Sequence, residues 1–207
     1  MYRDACRRTA WSLTTLALVT ASVDAAAAEA PAGATTRVRI GAGVAQLQAR
    51  AYNATAANWG YAGFGTAVSF RGDVLMQAAA RLFGGVRLGW VGAVAPGTSA
   101  ALTYGAWQAG IALQLVAFGP EPLRRGGGLL AFDCGVGLQR ASVSLRSEDV
   151  HGLDPVAWAG VTVGYLTKIG VTMQVGVVRS RWKDTGPLAE PIDLYGPEVI
   201  LTLEMLP

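Results

Sequence analysis

The sequence predicts an all-β protein, a single antiparallel transmembrane β-barrel of about eight strands. Three observations predict it. Segment after segment alternates apolar and polar residues with a period of two, which puts every second side chain on one face of a strand. The polar face is mostly Gly, Ala, Ser, Thr and Gln, a set that fits the crowded interior of a narrow barrel. The composition is intermediate: 52% hydrophobic, 15% charged and 27 glycines in 207 residues. That is wetter than a helical membrane bundle and greasier than most soluble domains. The length suits one domain. Low charge without charge blocks excludes a disordered chain, and the lack of a Gly-X-Y period excludes collagen. A net charge of +3, with no Lys/Arg run longer than two, excludes nucleic acid as a partner.

The first element is a targeting segment, residues 1–28. Arg3, Arg7 and Arg8 give a positive start, and Trp11 to Val23 is an uncharged stretch of 13 residues. A membrane-spanning helix needs roughly 20, so this stretch fits a signal peptide. Ala26, Ala27 and Ala28 offer the small-residue cleavage site. Arg7-Arg8 also fits a twin-arginine leader, but only weakly. Cys6 leaves with the segment, and Cys134 alone stays, so no internal disulfide forms. A short extension, 29–36, leads into a barrel over 37–207.

The strands fall near 37–50, 60–70, 76–93, 101–117, 128–145, 156–166, 171–182 and 198–206. In the third, Leu82, Val86, Leu88 and Trp90 share one parity and Arg81 and Arg87 the other. In the fourth, Trp107, Ile111, Leu113 and Leu115 oppose Gln108 and Gln114. The fifth opposes Leu130, Phe132, Cys134, Val136 and Leu138 to Asp133 and Gln139. The seventh sets Val171, Met173, Val175 and Val177 against Thr172 and Gln174, and the eighth Val199, Leu201, Leu203 and Met205 against Glu198 and Glu204. Pairs six apart, such as Arg81/Arg87 and Glu198/Glu204, share a strand face but not a helix face. In the first strand the phase slips after Val44, where Leu47 and Ala49 become the apolar positions. A bulge or an extension beyond the membrane accounts for it.

A membrane barrel puts its apolar face outside and its polar face inside. Arg39, Arg81, Arg87, Asp133, Glu198 and Glu204 then fall on the interior face. Buried ions need partners, so an internal charge-paired plug is expected; the alternative is that some sit at wet strand ends.

With these residues in hand, the chain resembles small eight-stranded bacterial outer-membrane β-barrels of the OmpA/OmpX type. The resemblance is architectural and carries no specific motif. It implies both chain termini in the periplasm, long outer loops, short inner turns, and partners in outer-membrane lipid, lipopolysaccharide and the barrel-assembly machinery, for a monomer. Such barrels usually end on an aromatic residue; this chain ends Glu204-Met205-Leu206-Pro207.

That orientation makes 51–59, 94–100, 146–155 and 183–197 outer loops, and 71–75, 118–127 and 167–170 inner turns. Trp59, Tyr61, Trp90, Tyr104, Trp158 and Trp182 then lie near outer strand ends, as an interfacial girdle does, rather than as scattered core aromatics. Arg140, Arg179 and Arg181 point outward just beyond the apolar band. They meet lipopolysaccharide phosphates or are solvated rim charge.

The single histidine, His151, lies among Ser147, Glu148, Asp149 and Asp154 in what reads as a polar loop. A lipid-modifying barrel enzyme would need such a group; a metal site would need better-defined spacing. No catalytic residue, metal or cofactor is assigned, and a structural or surface-interaction role is the favoured reading. The competing readings are the enzyme using His151, a helical inner-membrane protein built on the 33 uncharged residues between Arg87 and Glu121, and a soluble periplasmic barrel.

Overall fold

A computed structural model describes residues 35–97, 101–119, 126–145, 148–182 and 192–206. The targeting segment and most of the extension lie outside them. Eight strands form one closed barrel in sequence order: β1 Thr36–Gln46, β2 Thr66–Ala79, β3 Leu82–Pro96, β4 Ala101–Phe118, β5 Gly127–Leu145, β6 Glu148–Leu166, β7 Ile169–Trp182 and β8 Ile192–Met205. Each neighbouring pair is antiparallel, and β1 closes on β8 with Val38 opposite Met205. Closure pairs the strand edges that an open sheet would leave bare.

The side-chain faces are those the alternation predicts. Outside lie Ile111 (62% exposed), Val136 (63%) and Leu201 (61%), with their apolar neighbours two residues away. Inside lie Arg39, Asp73, Arg87, Gln114, Asp133, Thr162, Thr172 and Glu204, all buried. A soluble barrel has the opposite arrangement. The strands, 11 to 19 residues long, reach or exceed the roughly 9–11 needed for a tilted bilayer crossing. Among the described residues no helix is long and apolar enough to cross a membrane.

Several strand boundaries differ from the sequence expectation: the second strand starts at Thr66 rather than 60, the third at Leu82 rather than 76, and four further differences shape the barrel. Residues 71–75, expected as an inner turn, run inside β2, because Arg71, Asp73 and Leu75 keep the inward parity and find partners there. β6 begins at Glu148 and β8 at Ile192, so much of two expected outer loops is strand. Polar residues are tolerated in those segments because the strands rise past the apolar belt into water.

The fourth difference is the phase slip after Val44. It is no bulge. β1 ends at Gln46, and the chain folds into the barrel mouth as helix α1, Arg50–Asn58. Alanines at 51, 54, 56 and 57 favour helix. Ala49, Tyr52 and Ala56, spaced three and four apart, share one face and are buried. They pack with Phe64, Val91, Leu102, Tyr104 and Val143 as an apolar stopper at the outer end. Tyr52 stacks on Phe64 with centroids 5.7 Å apart, and Phe64 meets Tyr104 edge-on at 5.9 Å.

On that side β3 to β6 continue beyond the rest of the wall. The β2–β3 ladder stops at Ala67 opposite Ala93, while β3–β4 reaches Pro96, β4–β5 reaches Leu145 and β5–β6 reaches Glu148. The β6–β7 ladder stops at Val156 opposite Ser180. The upper edge of β3 is capped by the first loop, where Tyr61 bridges Gly97 and the Ala62 amide donates to Pro96 O at 3.0 Å.

Candidate functional site

The lumen holds one charge network, and strand register builds it. Glu204, Arg39, Asp73 and Arg87 are direct ladder partners in that order across β8, β1, β2 and β3. Opposed residues on one face have Cβ atoms about 5 Å apart, so the row alternates in sign at salt-bridge reach. Arg39 Nη2 donates to Asp73 Oδ2 at 2.6 Å and its Nη1 to Asp133 Oδ1 at 2.8 Å. Arg87 donates through Nε to Asp73 Oδ1 at 2.7 Å and through Nη2 to Oδ2 at 3.1 Å. This is the bidentate fork that guanidinium and carboxylate geometry favours.

A second tier binds this row to the opposite wall. Asp133 also accepts from Thr162 Oγ1 at 2.5 Å and from Gln114 Nε2 at 3.1 Å. Arg37 donates to both Glu204 and Gln114, and its guanidinium carbon sits 5.0 Å from the Phe83 ring centroid. Nearer the outer end, Ser69 Oγ donates to Glu198 Oε1 at 2.6 Å, with Arg71 Nη1 3.7 Å from Glu198 Oε2. Four buried arginines (Arg37, Arg39, Arg71 and Arg87) thus meet four of the buried carboxylates (Asp73, Asp133, Glu198 and Glu204); Asp154, also buried, lies opposite Gln139 toward the outer end. The pairing matters, because an unmatched buried charge is the costly case.

Above the network a small void, with room for about one water molecule, is lined by Tyr104, Gln108, Gln139, Ser180 and Glu198. Gln139 Nε2 beside it has no protein partner. The α1 stopper then closes the mouth. Asn53 clasps the loop behind it: Nδ2 donates to Phe64 O at 2.7 Å, and Oδ1 accepts from the Phe64 amide at 2.8 Å. Gly63 adopts φ of +79° under that clasp, and a Cβ there would lie 2.7 Å from Asn53. Burial pushes the Tyr52 phenol up to about 12, with Tyr61 adding to the shift.

The six interior charges expected from the sequence divide. Arg39, Arg87, Asp133, Glu198 and Glu204 are buried in the lumen. Arg81 is not: it occupies the tight turn between β2 and β3, exposed, donating to Ala117 O at 3.0 Å. A guanidinium at the rim keeps its water and has no need of the lumen. Sequence reasoning missed Arg37, Arg71 and Asp73; continuing the alternation through Phe70–Leu75 would have found the last two.

The expected aromatic girdle is corrected more deeply. Tyr61, Tyr104 and Trp158 face inward and are buried. Tyr104 and Trp158 carry the inward parity of their strands. Trp158 lies over two inward glycines, where a Cβ at Gly135 or Gly110 would come within 2.4 or 2.8 Å of the indole. Bare backbone makes room for the ring inside a narrow barrel. Trp59 is exposed at the end of α1, and Trp90 faces lipid. The side chain of Trp182 lies outside the described residues, as does that of Arg181. Arg140 and Arg179 are exposed on the outward face.

His151, expected in a loop, is an exposed strand residue of β6. Its ladder partner is Ser142 on β5, whose hydroxyl donates to Gly105 O at 3.3 Å. Among the described residues no group of three or more His, Cys, Asp or Glu could hold a metal ion.

A closed eight-stranded barrel, apolar outside and filled with paired charge inside, belongs to the class of small transmembrane β-barrels. No family model matches the chain, and no curated protein matches it. Solved structures do. Neisserial surface protein A is similar over 84% of this chain and 98% of its own, at 14% identity and a TM-score of 0.53. The N-terminal β-barrel domain of Pseudomonas aeruginosa OprF covers 82% and 97% at 11% identity, TM-score 0.40. Ail, the attachment invasion locus protein of Yersinia pestis, solved in complex with the heparin analogue sucrose octasulfate, covers 83% and 99% at 9% identity, TM-score 0.46. By the first of these the chain resembles the small outer-membrane barrels, and at 14% identity the likeness is one of fold.

Proposed function

We propose that this chain is a non-enzymatic outer-membrane barrel protein with a structural or surface-interaction role. It reaches that membrane through a cleaved leader, residues 1–28, and the barrel-assembly machinery, and acts as a monomer. One observation carries the reading. The lumen is filled by the Arg39–Asp73–Arg87–Asp133 network and stoppered by α1, while the outward side chains of the belt, such as Ile111, Val136 and Leu201, are apolar. Among the described residues the filled lumen leaves no passage for solute and no void larger than about one water, so the working surfaces are the lipid face and the outer loops. Basic residues at the outer rim, Arg140, Arg179 and Arg181, contact lipopolysaccharide phosphates there. The test is cell fractionation with heat-modifiable gel mobility, followed by reconstitution in planar bilayers. Recovery with the outer membrane and no stepwise conductance is expected; steady large channels would overturn it.

One observation favours a second reading, a lipid-modifying enzyme. Ser142 and His151 face each other on the outward side above the apolar belt. Against it, the Ser142 hydroxyl is donated to a backbone carbonyl. Acyl-ester turnover by the reconstituted protein, abolished in His151→Ala, would establish the enzyme and sink the structural role.

A further inference from the structure

The described outer-end aromatics on the lipid face do not ring the barrel. They form one ladder row across five strands: Phe70 on β2, Trp90 on β3, Trp107 on β4, Arg140 on β5 and Leu153 on β6, each directly opposite the next. Phe70 and Trp90 lie 6.0 Å apart, and Trp107 is 62% exposed. Followed the other way from Phe70, the same row runs through Ala42 on β1, Leu201 on β8 and Met173 on β7, none of them aromatic. An interfacial girdle serves the whole circumference, so a one-sided row calls for a local reason.

The next row outward supplies it. Gly92, Gly105, Ser142 and His151 are ladder partners on the same face. They make a row of small residues ending in His151, spanning three strand spacings or about 14 Å. The Trp90 indole covers its Gly92 end, where a Cβ would fall 2.2 Å from the ring, and Gly105 and Ser142 lie beyond it. Below the row the face turns wholly apolar through Ile111, Val136 and Leu138. The sequence of surfaces from the membrane outward is therefore acyl-compatible wall, then indole and guanidinium, then a row of small residues.

We propose that this face binds a phosphorylated glycolipid of the outer leaflet, with a phosphate on Arg140 and the saccharide against Trp107, Gly105 and Ser142. The inference rests on the lipopolysaccharide contact proposed above and narrows it to one side of the barrel. Guanidinium pairs with phosphate through a fixed fork. An indole offers a sugar ring a broad apolar face that keeps its N–H free for hydrogen bonding. The small residues Gly105 and Ser142 leave room for a bulky disaccharide headgroup. Arg179 has a different setting: its ladder partners are Ala157 and Tyr195, and the next outward pair is Arg181 with Asp193 rather than glycines.

The test is native mass spectrometry of the full-length barrel in detergent, titrated with diphosphoryl lipid A, dephosphorylated lipid A or phosphatidylglycerol. Wild type, Arg140→Gln, Trp107→Leu and Arg179→Gln are compared, each checked for folded gel mobility. Arg140→Gln and Trp107→Leu should each weaken lipid A binding about tenfold, and Arg179→Gln less than about twofold. Removing the phosphates should weaken wild type but not Arg140→Gln. Loss confined to Arg179→Gln would overturn this site and leave the general lipid contact standing. Equal binding of phosphatidylglycerol would overturn the glycolipid. No retention of lipid A by wild type would remove both.

Discussion

Arg87 leaves β3, crosses the lumen and lies over the Trp158 ring of β6, its guanidinium carbon 4.7 Å from the ring centroid, while its Nε and Nη2 grip Asp73. One side chain thereby ties the second, third and sixth strands together. Trp158 in turn rests on Gly110 and Gly135 of the two strands between. The wall on that side is thinned to bare backbone so that the centre can be filled.

Asp73 is the carboxylate on which this arrangement turns, since it accepts from both Arg39 and Arg87. Asp73→Asn removes the charge and leaves two buried guanidinium groups undercompensated. Urea unfolding in lipid vesicles should show a loss of about 3–5 kcal/mol. A loss below about 1 kcal/mol would mean that water, not Asp73, balances those arginines.

Gly135 has no space for a methyl group: its Cβ would lie 2.4 Å from Ile111 O and 2.4 Å from Trp158. Gly135→Ala should destabilise the barrel by about 1–3 kcal/mol in the same assay. Pairing it with Trp158→Leu should recover part of that loss, because one of the two clashes disappears.

The lipid-facing assignment of β4 and β5 predicts a contrast between neighbours. Ile111→Arg, on the outer wall, should cost about 2–4 kcal/mol of folding energy in a bilayer. Thr103→Arg, on the same face of β4 but beyond the belt, should cost less than about 1 kcal/mol. Equal costs would contradict the position of the membrane.

The α1 stopper is held by Asn53 rather than by any helix cap, for α1 has no side-chain cap. Asn53→Ala should speed hydrogen exchange at the Phe64 amide about tenfold, leaving protection in β4 and β5 unchanged. The docked Tyr52 phenol adds a pH signature. It is pushed from 10.0 to about 12, so the undocked phenol ionises first. Docking is fully favoured below pH 10 and weakens as pH rises toward 12. Tyrosinate absorbance should therefore rise in step with loop exchange across that window, and a Tyr52→Phe variant should lose the coupling.

How far the architecture was legible follows from what each feature depends on. Strand faces depend on parity alone, so the lipid-facing set from Ile111 to Met205 and the inward Arg39, Arg87, Asp133, Glu198 and Glu204 were readable from alternation. Parity also puts Tyr104 and Trp158 inside; nearness to a strand end carries no information on face, which is why the girdle expectation fails there. Gly72 between two charged residues imitated a turn and hid Arg71 and Asp73. The polar upper half of β6 imitated a loop, because alternation weakens where both faces of a strand meet water.

By itself, then, the amino-acid order determined the strand class of the wall, about eight crossings and the two faces within each strand, because all three follow from a period of two along single segments. The tertiary structure alone decided register. Register is a relation between segments distant in sequence, fixed when the sheet closes on itself and each buried charge must find its opposite. It sets Glu204 beside Arg39, Arg39 beside Asp73 and Asp73 beside Arg87, and it gathers Phe70, Trp90, Trp107 and Arg140 into one row. The same closure leaves an apolar mouth at the outer end. The chain after Gln46 fills it as a helix, since burying Tyr52 and Phe64 there yields more than extending β1 into water.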